Sequence, residues 1–251
     1  SIKGFFTKQT ILLTLNIWFY LKLAASIFIW YSFSTIELPG VWIIYIESIY
    51  RYPLKGFSGE LINKTYLKES QAILGDREYA ISRADIDFDP DLPKYFQKNN
   101  FLALVNTAKL ANYQIKYDQA TRMLSVLRKG KELIKVNLSN NFERLDLVEF
   151  LYTKLDIKRA YKLDIIRATE GTNQHSFSDL PDKVISFINL STVKSFSEKI
   201  GLKIDPLRFR ANINFSSNIP WWEFECLNKK LKIDKVVLEV IKKTRRCAAT
   251  S

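Results

Sequence analysis

The sequence predicts a mainly β fold with inserted helices, an α+β architecture built around a barrel rather than a layered α/β sheet. Two observations predict it. Runs of β-branched and aromatic residues dominate the chain from Val41 onward, and only residues 140–156 and 191–201 carry helical spacing or helix end signals. The 251 residues, 47% hydrophobic and 25% charged, are enough for one large domain or two small ones with a packed core.

Residues 10–33, TILLTLNIWFYLKLAASIFIWYSF, are apolar and aromatic and long enough to span a bilayer as a helix. Asn16 and Lys22 interrupt the run, and a lysine near mid-span is costly. Lys3 and Lys8 before it and Glu37 after it would orient the start toward the cytoplasm. Three readings stay open for residues 1–40: a membrane anchor or uncleaved signal, upstream sequence added by a wrong start, or a buried helix. The chain begins at Ser1 and its single methionine is Met123, which fits a trimmed start or a fragment.

Residues 41–53, VWIIYIESIYRYP, read as a strand ended by Pro53. KGFSGE (55–60) is a loop, LINKTYL (61–67) alternates as a strand, and GDREYAISR (75–83) is a turn followed by a strand. DIDFDPDLPKYF (85–96) is an irregular surface loop; its four aspartates lack the glycine and terminal glutamate of a calcium loop. Residues 113–138 read as consecutive strands with polar turns at 118–121 and 128–131. An amphipathic helix is expected at 140–156, a strand at 183–190, and a helix at 191–201 capped by Ser191 or Thr192 and closed by Gly201. Strands at 208–215 and 230–243 follow. The chain divides into an apolar extension (1–40), a smaller β-rich domain (41–135) and a second β-rich domain (136–251).

Two cysteines, Cys226 and Cys247, cannot make a disulfide framework, and a reducing, cytoplasmic compartment is the simpler reading. One histidine, His175, disfavours a His-rich metal site. A net charge of +12 fits an anionic partner. The lysines are spread along the chain, however, so no nucleic acid is expected. No GxGxxG, GxxxxGK[ST] or G-x-S-x-G motif occurs.

Four segments stand out together: RYPLKGFSGE (51–60), GDREYAI (75–81), DPLRFRANI (205–213) and RRCAATS (245–251). In this order they resemble the MOSC family, named for the carboxy-terminal part of molybdenum cofactor sulfurase. The first two are similar to the family's amino-terminal β-barrel and the last two to the MOSC domain proper. The resemblance runs from about Trp42 to the end and implies a MOSC β-barrel in residues 136–251. Relatives continue past Arg-Cys-x-x-Thr into further strands, so a truncated MOSC domain is expected.

The resemblance implies a molybdenum cofactor, with pyridoxal phosphate binding also a family-level property. Cys247 would be the metal ligand and catalytic residue. A thiolate is the soft ligand such a metal takes, and the neighbouring Arg245 and Arg246 favour the thiolate. Lys55, with Gly56 beside it, matches the family's phosphate-contacting lysine, and Arg77 the arginine of its Asp-Arg motif. Arg210 and Asn212 match the Arg and Asn that approach the cofactor. The residue-level alternatives are a solvated Lys55, an Arg77 paired with Asp76, and a buried apolar Cys247. His175 and Asp179 read as a structural hydrogen-bonding pair, and Cys226 and Trp222 as packing.

Similarity to amidoxime-reducing members implies reduction of N-hydroxylated or other N–O small-molecule substrates. Electrons would come from a separate ferredoxin-, flavin- or cytochrome-type protein, since no flavin or iron–sulfur motif is visible. The alternative is a sulfur-carrier or cofactor-handling module. A membrane partner is expected only if residues 10–33 are an anchor.

Overall fold

A long strand rich in Ile and Tyr organises the chain. In the computed structural model, which describes residues 4–6, 10–14, 41–83, 86–168, 175–233 and 236–244, this strand pairs on both sides. The described elements, in order, are β1 (Gly4–Phe6), β2 (Thr10–Thr14), β3 (Val41–Arg51), β4 (Glu60–Ile62), β5 (Thr65–Leu67), β6 (Tyr79–Ser82), β7 (Gln114–Asp118), β8 (Met123–Arg128), β9 (Lys131–Asn137), α1 (Asn141–Leu155), β10 (Asp164–Arg167), β11 (Phe187–Asn189), α2 (Leu190–Ile200), β12 (Ile213–Ser217), β13 (Lys230–Ile233) and β14 (Val236–Glu239). Short 3₁₀ turns, such as Pro206–Phe209 and Trp222–Glu225, join some of them. The fold is β-rich α+β, assembled from several small sheets.

The largest sheet runs β11–β12–β3–β2, with β4 also paired to β3. Its ladders are antiparallel except β11–β12, which is parallel and therefore needs the crossover that α2 supplies. A bulge between Asn214 and Phe215 shifts the β12–β3 register. β7–β8–β9 form an antiparallel meander, β6 pairs with β10, β1 with β5, and β13 with β14.

Two cores lie on either side of the chain's crossing at residues 51–57. Ile46 and Ile49 of β3 bury with Leu67, Ile73 and Ile213 in one. Leu54 and Phe57, a few residues later, bury in the other, with Tyr79, Ile81, Leu124, Val126 and Ile165. α1 closes this second core with Leu147, Val148, Leu151 and Leu155, the i, i+1, i+4, i+8 positions of one face. The Asn140 side chain accepts from the N–H of Phe142, an N-cap that contributes about 1 kcal/mol, and Glu143 accepts from the Asn140 side-chain Nδ2 and from Asn137 N–H.

Most expected elements form, and the differences are local. The run 61–67 splits into β4 and β5, and 230–243 folds back as the β13–β14 hairpin. The cap of α2 is Asn189, which accepts from Ser191 N–H at 3.0 Å, so the helix begins ahead of the expected Ser191 or Thr192. Residues 206–209 form a 3₁₀ turn and the strand expected at 208–215 starts only at Ile213; Pro206 and the left-handed Arg210 keep the chain out of the sheet until then. α1 and β10, which follow residue 135, bury in the same core as β6–β9. Of the helix weighed for 10–33, Thr10–Thr14 is a strand on β3, and residues 15–33 lie outside the described residues. Among the described residues no helix is long and apolar enough to cross a membrane.

Candidate functional site

The crossing segment after β3 carries the first site residue. Backbone bonds knit it to the segment before β6: Arg77 N–H donates to Tyr52 O at 2.6 Å, Lys55 N–H to Tyr79 O at 2.9 Å, and Tyr79 N–H to Pro53 O at 2.9 Å. Gly56 makes the turn possible. Its φ is +90°, and a Cβ there would sit 2.7 Å from the Leu102 carbonyl oxygen. The turn sends Lys55 inward, where it is 4% exposed. Its Nζ donates to Phe177 O at 2.8 Å and to Asp179 Oδ1 at 2.5 Å, and it lies 5.6 Å from the centre of the Phe101 ring.

Arg77 sits in the left-handed region at φ +50° and its guanidinium pairs with Asp76. Asp76 is 4% exposed and also accepts from Tyr52 N–H at 2.8 Å and Asn212 Nδ2 at 3.1 Å. Arg210 arrives from the other end of the chain, left-handed at φ +54° at the end of the 206–209 turn. Its guanidinium donates to Phe57 O. The guanidinium carbons of Arg77 and Arg210 lie 4.8 and 4.5 Å from the centre of the Tyr52 ring, a shared cation–π platform. The Tyr52 hydroxyl donates to Ala211 O at 3.2 Å and so ties the platform to the Arg210 segment.

Lys55, Arg77 and Arg210 thus face two carboxylates, Asp76 and Asp179. Burial sets the titration of the cluster first, and the neighbouring charges modify it. Burial, with the like charge of Arg77 behind it, pulls the Arg210 guanidinium down to about 10. Burial also lowers Lys55 below the ordinary lysine range, with Asp179 opposing and Arg77 and Arg210 adding to the fall. Asp179 is open to solvent on its outer side; the protein on its inner side desolvates it and pushes it upward, but the pull of Lys55, Arg77 and Arg210 outweighs this and the carboxyl titrates below the usual range. Desolvation raises the Tyr52 phenol to about 12, so it stays a neutral platform and donor.

The structure brings Lys55, Gly56, Arg77, Arg210 and Asn212 together. Asn212 is 2% exposed, and its amide is spent within the protein: it donates to Asp76 and Tyr50 O and accepts from the backbone and hydroxyl of Ser186. It acts on the cluster by holding Asp76. Gly56 contributes the turn. Arg245, Arg246 and Cys247 lie outside the described residues.

The pairing of His175 with Asp179 does not form. Asp179 bonds Lys55 instead, while His175 packs on the rings of Phe88 and Phe177, 5.9 and 5.6 Å between centroids. Burial, aided by Lys183, drops the imidazole to about 4. His175 lines a cleft beside Asp76 together with Ile73, Gly75, Ser176 and Lys183. Cys226 and Trp222 pack as expected, in a small core with Phe215 and Val240. Sequence reasoning missed Tyr52 and Asp179 as members of the cluster; the Arg77–Asp76 pair it offered as an alternative does form. Tyr52 and Asp76 stand inside the quoted motifs; Asp76 adjoins Arg77, whereas Tyr52 meets Arg77 and Arg210 only across the fold.

A β-rich scaffold that draws Arg77 and Arg210 from distant segments onto one tyrosine ring, with Lys55 held nearby against Phe101, defines a protein built around a concentrated positive site. Residues 172–251 match the family model of the MOSC domain. Within that stretch, about a third of the chain, the sequence is similar to the MOSC domain, and Asp179, Arg210 and Asn212 fall within the matched region. No curated protein matches the chain.

Proposed function

We propose that the chain binds the phosphate of a phosphorylated cofactor at Lys55, Arg77 and Arg210. The observation that carries this reading is the charge count of the cluster: three buried or half-buried cations, Lys55, Arg77 and Arg210, are gathered against two carboxylates, Asp76 and Asp179. A folded chain tolerates such repulsion where an anion is to be held. Arg210 offers a planar fork and Lys55 a compact ammonium, both suited to phosphate oxygens. Tyr52 holds the two guanidiniums, Asp76 and Asn212 hold Arg77, and Gly56 aims Lys55.

The MOSC family points to the molybdenum cofactor, whose phosphate these residues would bind while the Cys247 thiolate takes the metal and Arg245 and Arg246 favour its ionised form. When bound, that group supplies two-electron oxygen-atom transfer. The resulting activity is reduction of N-hydroxylated or other N–O substrates, with electrons delivered by a separate redox protein.

Pterin and molybdenum contents of the purified full chain test this. Arg210→Ala and Lys55→Met should each lose most of the bound pterin, and Cys247→Ser should lose molybdenum. Equal pterin in wild type and both basic-site variants overturns the phosphate site; equal molybdenum in wild type and Cys247→Ser overturns the ligand. Cys247 carrying a persulfide in a metal-loaded protein without reductase activity would favour the cofactor-handling alternative.

A further inference from the structure

We propose that Asp179 is the charge-selecting residue of the cation cluster: in the empty protein its carboxylate takes the anion's place on Lys55, and a ligand binds by displacing it. The inference rests on the phosphate-site reading above and adds to it what the site admits.

The geometry is asymmetric. The Lys55 side chain is 5% exposed, whereas that of Asp179 is 73% exposed, so the carboxylate reaches in from the surface and covers the ammonium with one oxygen. The other Lys55 contacts, Phe177 O and the Phe101 ring, belong to the protein interior. An external anion therefore gains Lys55 through the direction Asp179 now occupies. The Asp179 segment is lightly held there: Tyr95 OH donates to Asp179 O at 3.2 Å, and Ser178 Oγ to Leu180 O at 2.6 Å. Swinging the side chain outward returns a carboxylate to water, a small cost for a group already so exposed.

Charge decides what can displace it. With Asp179 in place the cluster carries one net positive charge. With Asp179 swung out it carries two, because Asp76 stays locked beneath Arg77, Tyr52 N–H and Asn212. A dianionic phosphate neutralises the open cluster. A monoanion merely exchanges one unit charge for another and gains little. Asp179 thus favours a phosphate monoester over a carboxylate or another singly charged group.

The test is binding of inorganic phosphate and of acetate to the cofactor-free full chain, by calorimetry, for wild type, Asp179→Asn, Asp179→Ala and Lys55→Met. Lys55 modification by an amine reagent is read in parallel by mass spectrometry. Asp179→Asn and Asp179→Ala should bind phosphate at least about tenfold more tightly than wild type, bind acetate measurably, and expose Lys55 to the reagent. Lys55→Met should bind phosphate more weakly than wild type, because the ammonium that the anion would take is gone. If phosphate binds wild type and both Asp179 variants equally, and Lys55 reacts at the same rate in all, displacement is refuted while the phosphate site stands. If phosphate binds none of the proteins, the phosphate site itself falls, and this inference with it.

Discussion

Asp76 is the buried acid on which the cation cluster depends, and its removal can be worked through from the contacts. Its carboxylate accepts from Tyr52 N–H, Asn212 Nδ2 and the Arg77 guanidinium, and its side chain is 3% exposed. Asp76→Ala strands all three donors. Breaking a buried ion pair from one side costs about 3–5 kcal/mol. The two N–H donors share part of that loss, so a total near 4 kcal/mol is expected. For a chain of 251 residues, each kcal/mol moves Tm by about 2–4 °C, giving a fall of about 8–16 °C. Asp76→Asn keeps an oxygen for Tyr52 and Asn212 but not the charge opposite Arg77, so it should lose roughly half as much. Differential scanning calorimetry with urea titration at constant m checks both. An Asp76→Ala melt within about 2 °C of wild type refutes the reasoning. An Asp76→Asn as damaging as Asp76→Ala shows that charge alone matters and that the latch to Tyr52 and Asn212 contributes nothing.

Three further outcomes follow from the same contacts. Lys55→Met should stay within about 1 kcal/mol of wild-type stability by urea unfolding, because the buried ammonium is itself costly, while its phosphate binding falls; a loss of several kcal/mol would make Lys55 structural. The folded Lys55 lies below its unfolded value, so the unfolded chain holds its proton longer and this penalty fades as pH rises toward 10.5. His175, about 4 when folded against 6.5 as reference, contributes stability above pH 6.5 that is lost as pH falls toward 4. The loss is up to about 3 kcal/mol. His175→Phe should lose less between pH 7 and 4.5, and equal urea midpoint shifts in the two proteins would contradict it. Gly56→Ala places its Cβ 2.7 Å from Leu102 O at φ +90°, whereas a Cβ at Gly130, φ +78°, meets nothing within 4 Å. Urea unfolding should show a cost of about 2–4 kcal/mol at Gly56 and about 1 kcal/mol at Gly130; equal costs would mean the turn is not sterically confined.

Much of the secondary structure was legible in the sequence because its causes are local. Alternation of apolar residues at Ile115, Tyr117, Leu124 and Val126 marks the β7–β8 hairpin, and the helical spacing of apolar residues over 140–156 marks α1. The same locality misled where neighbours in space override neighbours in sequence. Residues 208–215 are β-prone, yet β12 begins only at Ile213. The β6–β10 ladder joins Ala80 to Ile166, with nothing in either segment to announce the other.

The site divides the same way. The sequence alone determined which basic residues are candidates, Lys55, Arg77 and Arg210 among them, because they stand in ordered motifs. Tertiary structure decided what surrounds them: Tyr52 under both guanidiniums, Asn212 spent on Asp76, and Asp179 on Lys55 rather than beside His175. Lys55 and Asp179 are 124 residues apart, and Arg210 and Phe57 are 153 apart. Short-range patterning records the conformation of a segment, but electrostatic partners at that separation are chosen by the packing of two cores, which brings the charges together only after the chain has folded.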